Sequence, residues 1–198
     1  MSISSKQLVD FLDEIGKALD RKIVLVAAGG TALTLYRVKA SSIDVDFTGP
    51  AKDVELFQKA VKATQPGFRV DVWPDGQVFS QFLPDDYLRK SKRIRSLKNI
   101  DLRALAPADI VVTKVGRLDW RDMDDIEACI RKFKLTRNSI VRRGKQVEYV
   151  GNQDVFDYNL ESVTARFFGK GAYKRNGRSR LESTPALSSA VSHFSNGN

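Results

Sequence analysis

The stretch that most limits what this 198-residue chain can become runs from Ile23 to Phe47. Ile23-Val24-Leu25-Val26-Ala27 is a short β-branched run that reads as a buried strand. Gly29-Gly30 follows, and without Cβ atoms the backbone there can turn sharply and bring its amides close to a ligand. Thr31 to Val38 reads as a helix whose N-terminus faces that turn, where free N–H groups and the helix dipole favour a phosphate. Ser42-Ile43-Asp44-Val45-Asp46-Phe47 then reads as a second strand. Side chains alternate along a strand, so Asp44 and Asp46 are expected on one face, with Ile43, Val45 and Phe47 toward the core. Two adjacent carboxylates repel each other unless a cation sits between them, and an oxygen-only donor set suits Mg²⁺. A phosphate cradle beside paired carboxylates is what phosphoryl or nucleotidyl transfer requires.

Taken together, Gly29-Gly30, a spacer of thirteen residues and Asp44-Val45-Asp46-Phe47 resemble the signature of the nucleotidyltransferase (DNA polymerase β-like) superfamily. Within it, Gly29-Gly30-Thr31-Ala32-Leu33 and Ser42-x-Asp44-x-Asp46 look most similar to the AbiEii-type toxins and their relatives. A second segment resembles the same enzymes. Pro107-Ala108-Asp109-Ile110, Lys114, Arg117 and Asp122-x-x-Asp125 follow their Pro-x-Asp-Leu-x-x-x-Lys-Leu, Arg and Lys-Asp-x-x-Asp, with Arg121 in place of the usual lysine. Helical spacing alone puts Lys114 and Arg117 on one face.

The resemblance implies an α/β (α+β) fold: a nucleotidyltransferase core of a mixed twisted sheet flanked by helices, with additional C-terminal helices. It implies transfer of a nucleotide monophosphate from an NTP to an acceptor, with release of pyrophosphate. Asp44 and Asp46 would hold two Mg²⁺ ions, with Mn²⁺ as an alternative. Gly29, Gly30, Thr31, Ser42, Lys114 and Arg117 would bind the nucleotide, and Lys114 would contact the triphosphate. Asp122 would orient or activate the acceptor, although a helix N-cap competes for that residue. Phe68 to Trp73 alternates as a strand with Asp71 between two valines. Superfamily members often take a third carboxylate from this strand, so Asp71 is either a third metal ligand or general base, or a solvated polar-face residue. Register decides between the two.

Charge bears on the acceptor. Lysine and arginine outnumber acids by 33 to 24, a net charge of +9 that favours polyanionic partners, nucleic acid first. RNA, with a tRNA 3′ end as the family-like choice, is therefore the expected acceptor. A protein hydroxyl is the rival, and a catalytically degenerate nucleic-acid-binding scaffold is the non-enzyme alternative. The toxin resemblance adds a possible antitoxin protein as partner. Much of the charge lies between Tyr87 and Arg103, which reads either as a solvated sheet edge or as a basic groove for a nucleotide backbone. One cysteine excludes an internal disulfide and a cysteine-rich zinc site, and Cys129 reads as a small packing residue. His193 is the single histidine, which argues against histidine acid–base chemistry. With no apolar run of about eighteen residues and no signal-peptide shape, a cytoplasmic protein without a membrane partner is expected.

Three parts follow: residues 1–125 as the core with its phosphate-contacting helix, 126–168 as helices packed on it, and 169–198 as a basic, Ser-rich tail expected to be mobile. Helices are expected over Ser4–Asp20, Asp53–Thr64, Thr136–Val150 and Asn152–Phe168, the last with Val155 in its apolar face, and a strand over Val78–Leu83.

Overall fold

The computed structural model describes residues 2–169. The basic tail from Lys170 onward, with His193, lies outside the described residues. In chain order the elements are β1 (Ile3–Ser4), α1 (Ser5–Ala18), β2 (Ile23–Ala27), α2 (Gly29–Leu35), β3 (Ser41–Ser42), β4 (Val45–Gly49), α3 (Ala51–Thr64), β5 (Val70–Pro74), β6 (Gln77–Val78), β7 (Gln81–Phe82), α4 (Tyr87–Lys90), β8 (Lys92–Ser96), β9 (Ile100–Ala104), α5 (Pro107–Val115), α6 (Trp120–Phe133), α7 (Arg137–Gly144), β10 (Glu148–Tyr149) and α8 (Gln153–Phe168).

Five strands form the central sheet in the order β5-β4-β2-β9-β8. It is mixed: β2 runs antiparallel to β4 and parallel to β9, while β4 and β5 are parallel. This is an α+β nucleotidyltransferase-type architecture with additional C-terminal helices. Alternation decides what each face of β4 meets. Val45 and Phe47 are fully buried, and Phe47 meets Phe57 of α3 edge to face with ring centroids 5.6 Å apart. With that face covered by α3, Asp46 points to the other one. The amphipathic α1 buries Leu8, Leu12 and Ile15, and begins with the Ser4–Gln7 capping box.

Several expected boundaries move. The first helix of the signature starts at Gly29 and stops at Leu35, so the two glycines are its first turn and do not precede it. The strand expected over Ser42–Phe47 is broken. Ile43 and Asp44 form a bend between β3 and β4, where the Ser42 and Thr31 hydroxyls both donate to the Asp44 carbonyl and draw it out of the ladder. Ile43 is consequently 58% exposed and does not face the core. Val78–Leu83 folds as the short β6 and β7, which pair with each other, because Phe79 takes a left-handed backbone (φ +56°). The helix expected to reach Val150 ends at Gly144, and Glu148–Tyr149 instead pairs with β7 as β10. Val155 on α8 is 48% exposed and lies outside the apolar face formed by Phe156, Leu160 and Val163.

The C-terminal elements are fastened to the core by charge as well as by packing. Arg143 of α7 donates to both Asp109, in the first turn of α5, and Asp86. The basic run between Tyr87 and Arg103 lies on and beside β8, the edge strand, where Arg93 and Arg103 share Asp101. That position fits the sheet-edge reading, since charged side chains there discourage edge-to-edge pairing. Among the described residues no helix is long and apolar enough to cross a membrane.

Candidate active site

Where β2 ends, the chain passes directly against β4: the Ala28 N–H donates to the Asp46 carbonyl at 2.9 Å. Gly29 then adopts φ +49°, and a Cβ there would lie 3.1 Å from Asp46 Oδ2 and 3.3 Å from Phe79 Cζ. A Cβ on Gly30 would sit 2.7 Å from Ser42 Oγ. Any larger residue would therefore push the first turn of α2 off the carboxylate segment. Thr31 is fully buried, and its Oγ1 accepts the Asp46 N–H at 2.9 Å and donates to the Asp44 carbonyl at 3.2 Å. Ser42 Oγ donates to the same carbonyl at 2.8 Å. The family resemblance places both hydroxyls on the nucleotide. Both hydrogen-bond to the backbone of the carboxylate segment; Thr31 is fully buried, while Ser42 lines the cleft.

Asp44 is exposed just before β4, while Asp46 is 7% exposed on it. Asp71 stands directly beside Asp46 in the β4–β5 register, which resolves its orientation: direct partners in a sheet share a face. All three line one cleft of about 380 Å³ together with Gly29 and Gly30. Burial first, then the carboxylates of Asp71 and Asp44, push the Asp46 carboxyl up to about 7, against the pull of Lys114 and Arg117.

A carboxyl so disfavoured as an anion is one that a cation would relieve, and the donor set is oxygen only. The residues present fit Mg²⁺ on both counts. Among the described residues no three His, Cys, Asp or Glu close into a metal cage. An ion here would thus draw remaining ligands from water and phosphate, as Mg²⁺ usually does. Asp71 is also engaged by Arg69, whose Nε lies 2.8 Å from Oδ2. Among the described residues these carboxylates form no closed cage: Asp46 and Asp71 stand side by side in the sheet, and Asp44 reaches the cleft from the bend before β4.

Cations form the facing wall. Lys114 Nζ lies 2.8 Å from both Asp122 Oδ1 and Asp125 Oδ2, and its side chain is 5% exposed. Arg117 donates to both oxygens of Asp122, at 2.9 Å and 2.8 Å. Lys39 reaches Asp125 from the segment after α2, at 3.0 Å. Asp119 caps α6, and the buried Asp122 completes a capping box by accepting the Asp119 N–H. Burial alone would raise the Asp122 carboxyl, but hydrogen bonds from Arg117 and Lys114 hold it below the usual carboxylate range. Its oxygens accept from Lys114, Arg117 and the Asp119 N–H, which makes it both a cap and a cation anchor in the cleft wall. Cys129 is buried and its thiol is pushed up to about 12 by burial, which keeps it an inert packing residue.

The cleft also holds Lys39, Arg69, Trp73, Phe79, Arg121 and Asp125, none of which had been assigned a role from the sequence. Trp73 was within reach of sequence reasoning, since it follows Asp71 by two residues on the same strand. Lys39 and Phe79 carry no sequence signal, because loop paths bring them in.

Such a glycine turn and carboxylate strand on a mixed sheet, faced by lysine and arginine, define a nucleotidyltransferase-like site. Residues 6–135 match the family model described as "Nucleotidyltransferase of unknown function (DUF6036)", and the chain belongs to that family. No curated protein and no solved structure gives a significant match.

Proposed function

We propose that this protein transfers a nucleotide monophosphate from an NTP to a hydroxyl acceptor on RNA, a tRNA 3′ end first. The observation that carries the reading is the opposition, across one cleft, of Asp44, Asp46 and Asp71 on one side and Lys114 and Arg117 on the other. Mg²⁺, or Mn²⁺ in the same donor set, would be held by Asp44 and Asp46 and would supply charge neutralisation on the triphosphate and acidification of the acceptor hydroxyl. Gly29 and Gly30 line the same cleft, where their backbone would lie against the phosphates. Lys114 and Arg117, held in place by Asp122, neutralise charge developing on the leaving pyrophosphate. Asp71, beside Asp46, is the third carboxylate available to the site.

RNA is favoured over a protein acceptor by the +9 net charge and by Trp120. That side chain is 74% exposed at the start of α6, with the Arg121 guanidinium 5.5 Å from its ring, beside the cleft. Exposed aromatic rings paired with arginine are how single-stranded nucleic acid is held without sequence preference. A toxin role with an antitoxin partner rests on the AbiEii-type resemblance and predicts growth arrest on expression that Asp46→Asn relieves.

Purified protein, Mg²⁺, each α-labelled NTP and total RNA or cell lysate test the reading. Label in RNA that Asp44→Asn/Asp46→Asn abolishes supports it and names the base. Label in a protein band makes the enzyme a protein NMP-transferase instead. No label, with salt-sensitive RNA binding, leaves a degenerate binder.

A further inference from the structure

Nearly every side chain lining the cleft is charged or small; the apolar ones among the described residues are Ile43, Trp73 and Phe79. Two of these three form a unit. The Trp73 and Phe79 rings meet at 5.1 Å between centroids, inclined at 62°. Trp73 follows Asp71 by two positions on β5, so it stands on the same sheet face, roughly 7 Å along the strand from that carboxylate. Phe79 reaches the cleft from the β6–β7 turn.

The position of Phe79 is an expensive one. Its φ of +56° lies in the left-handed region, which a bulky aromatic residue rarely occupies. Strain of this kind persists only where the surroundings fix it, and it gathers at ligand sites. Here the surroundings are specific. The missing Cβ of Gly29 leaves the space beside Phe79 Cζ, Trp73 supports one edge, and Arg117 lies over the ring at 5.4 Å. Thus the same arginine that binds Asp122 also fixes the ring. Both rings remain only half-buried, so part of their area opens to the cleft.

We propose that Trp73 and Phe79 form the platform on which the nucleobase of the NTP stacks, while its phosphates lie toward Gly29, Lys114 and Arg117. This deepens the transferase reading and rests on it. A flat, uncharged heteroaromatic ring is the ligand that two aromatic side chains suit at the end of an otherwise ionic cleft. Every base has a π-face, so stacking tolerates all four and favours purines by area.

The chain has two tryptophans, so Trp120→Phe leaves Trp73 as the sole tryptophan reporter. In that background, with Ca²⁺ in place of Mg²⁺ to block turnover, the protein is titrated with ATP, UTP and inorganic tripolyphosphate. The expected result is quenching of Trp73 by ATP beyond that by tripolyphosphate. Phe79→Leu should weaken ATP about tenfold more than it weakens tripolyphosphate, whose retained binding also certifies the fold of the variant. Phe79→Tyr should restore ATP binding. ATP and tripolyphosphate binding equally well, with Phe79→Leu indifferent to both, overturns the platform and leaves the phosphate site standing. Binding of neither overturns the transferase reading and the platform with it.

Discussion

Thr31 and Asp46 are joined by one buried hydrogen bond, from the Asp46 N–H to Thr31 Oγ1 at 2.9 Å. The same hydroxyl donates to the Asp44 carbonyl, so a single side chain on α2 sets both ends of the carboxylate segment. Thr31→Val keeps the shape and removes the oxygen. It leaves the Asp46 N–H without that acceptor, which should destabilise the protein by about 1–3 kcal/mol. Transfer should fall at least tenfold more than the lost stability explains, because misplacing a reacting group is itself costly. Thermal melts and initial rates on the same preparation check this, and a fully active Thr31→Val would deny the hydroxyl its positioning role.

The Asp46 carboxyl makes stability and function pull apart. Its folded value of about 7 lies above the ordinary 3.8, so the native state holds this proton more tightly than the unfolded chain does. Its contribution is fully present at low pH, declines as pH rises from about 4 to 7, and is gone above that. Asp46→Asn should therefore stabilise metal-free protein by up to about 4 kcal/mol above pH 7, a gain that shrinks to nothing near pH 4. The same change should reduce turnover on the order of a thousandfold. Urea titrations in chelator at several pH values read the first effect.

Asp122 invites confusion between two roles, because the family resemblance allows it to activate the acceptor. The geometry makes it an anchor for Lys114 and Arg117. Asp122→Asn should lose about 3 kcal/mol of stability, as broken buried ion pairs do, and 10–100-fold in rate. Because its folded carboxyl titrates below the usual range, that stabilisation is present above about pH 4 and disappears as pH falls through the folded value. The acidic limb of the pH–rate profile should not move, whereas removing a general base would erase it.

How much of this could be read from the chain depends on whether a feature is local. The β2 run, the glycine pair, the Ser4–Gln7 capping box and Asp71's place on β5 were all legible, since each follows from spacing along one element. The break before β4 was not. It depends on two hydroxyls meeting one carbonyl, Thr31 from across the fold, and that contact turned Ile43 outward and freed Asp44 from the ladder. Helical spacing places Lys114 on α5, but that helix ends at Val115, so Arg117 reaches the cleft from the turn beyond it, and their partners Asp122 and Asp125 come from the next helix. Lys39 could be placed only by the path of the chain after α2.

Arg143 is the test of how the C-terminal helices are held. It satisfies Asp109, which is wholly buried and whose carboxyl burial raises despite this partner. Arg143→Met would strand that acid and should cost about 3–5 kcal/mol. The loss should be smaller at pH 5 than at pH 8, since protonation of Asp109 relieves it. Replacing both partners, Arg143→Met with Asp109→Leu, should recover much of the stability. A single variant as stable as the parent in urea would remove this ion pair from the account of the fold.

Trp120 separates acceptor binding from nucleotide binding. With 74% of its surface exposed, it contributes little to the core, so Trp120→Ala should change stability by no more than about 0.5 kcal/mol. If an unpaired acceptor base stacks there, the KM for RNA should rise about tenfold while NTP affinity stays constant. Arg121 lies over the same ring and lines the cleft, so Arg121→Ala should also weaken RNA and lower the slope of log affinity against log salt by about one. The two effects have different signatures, because stacking is insensitive to salt and the phosphate contact is not. Steady-state rates at several salt concentrations distinguish them. An unchanged KM in both variants would place the RNA elsewhere, with the basic edge at β8 the next surface to alter.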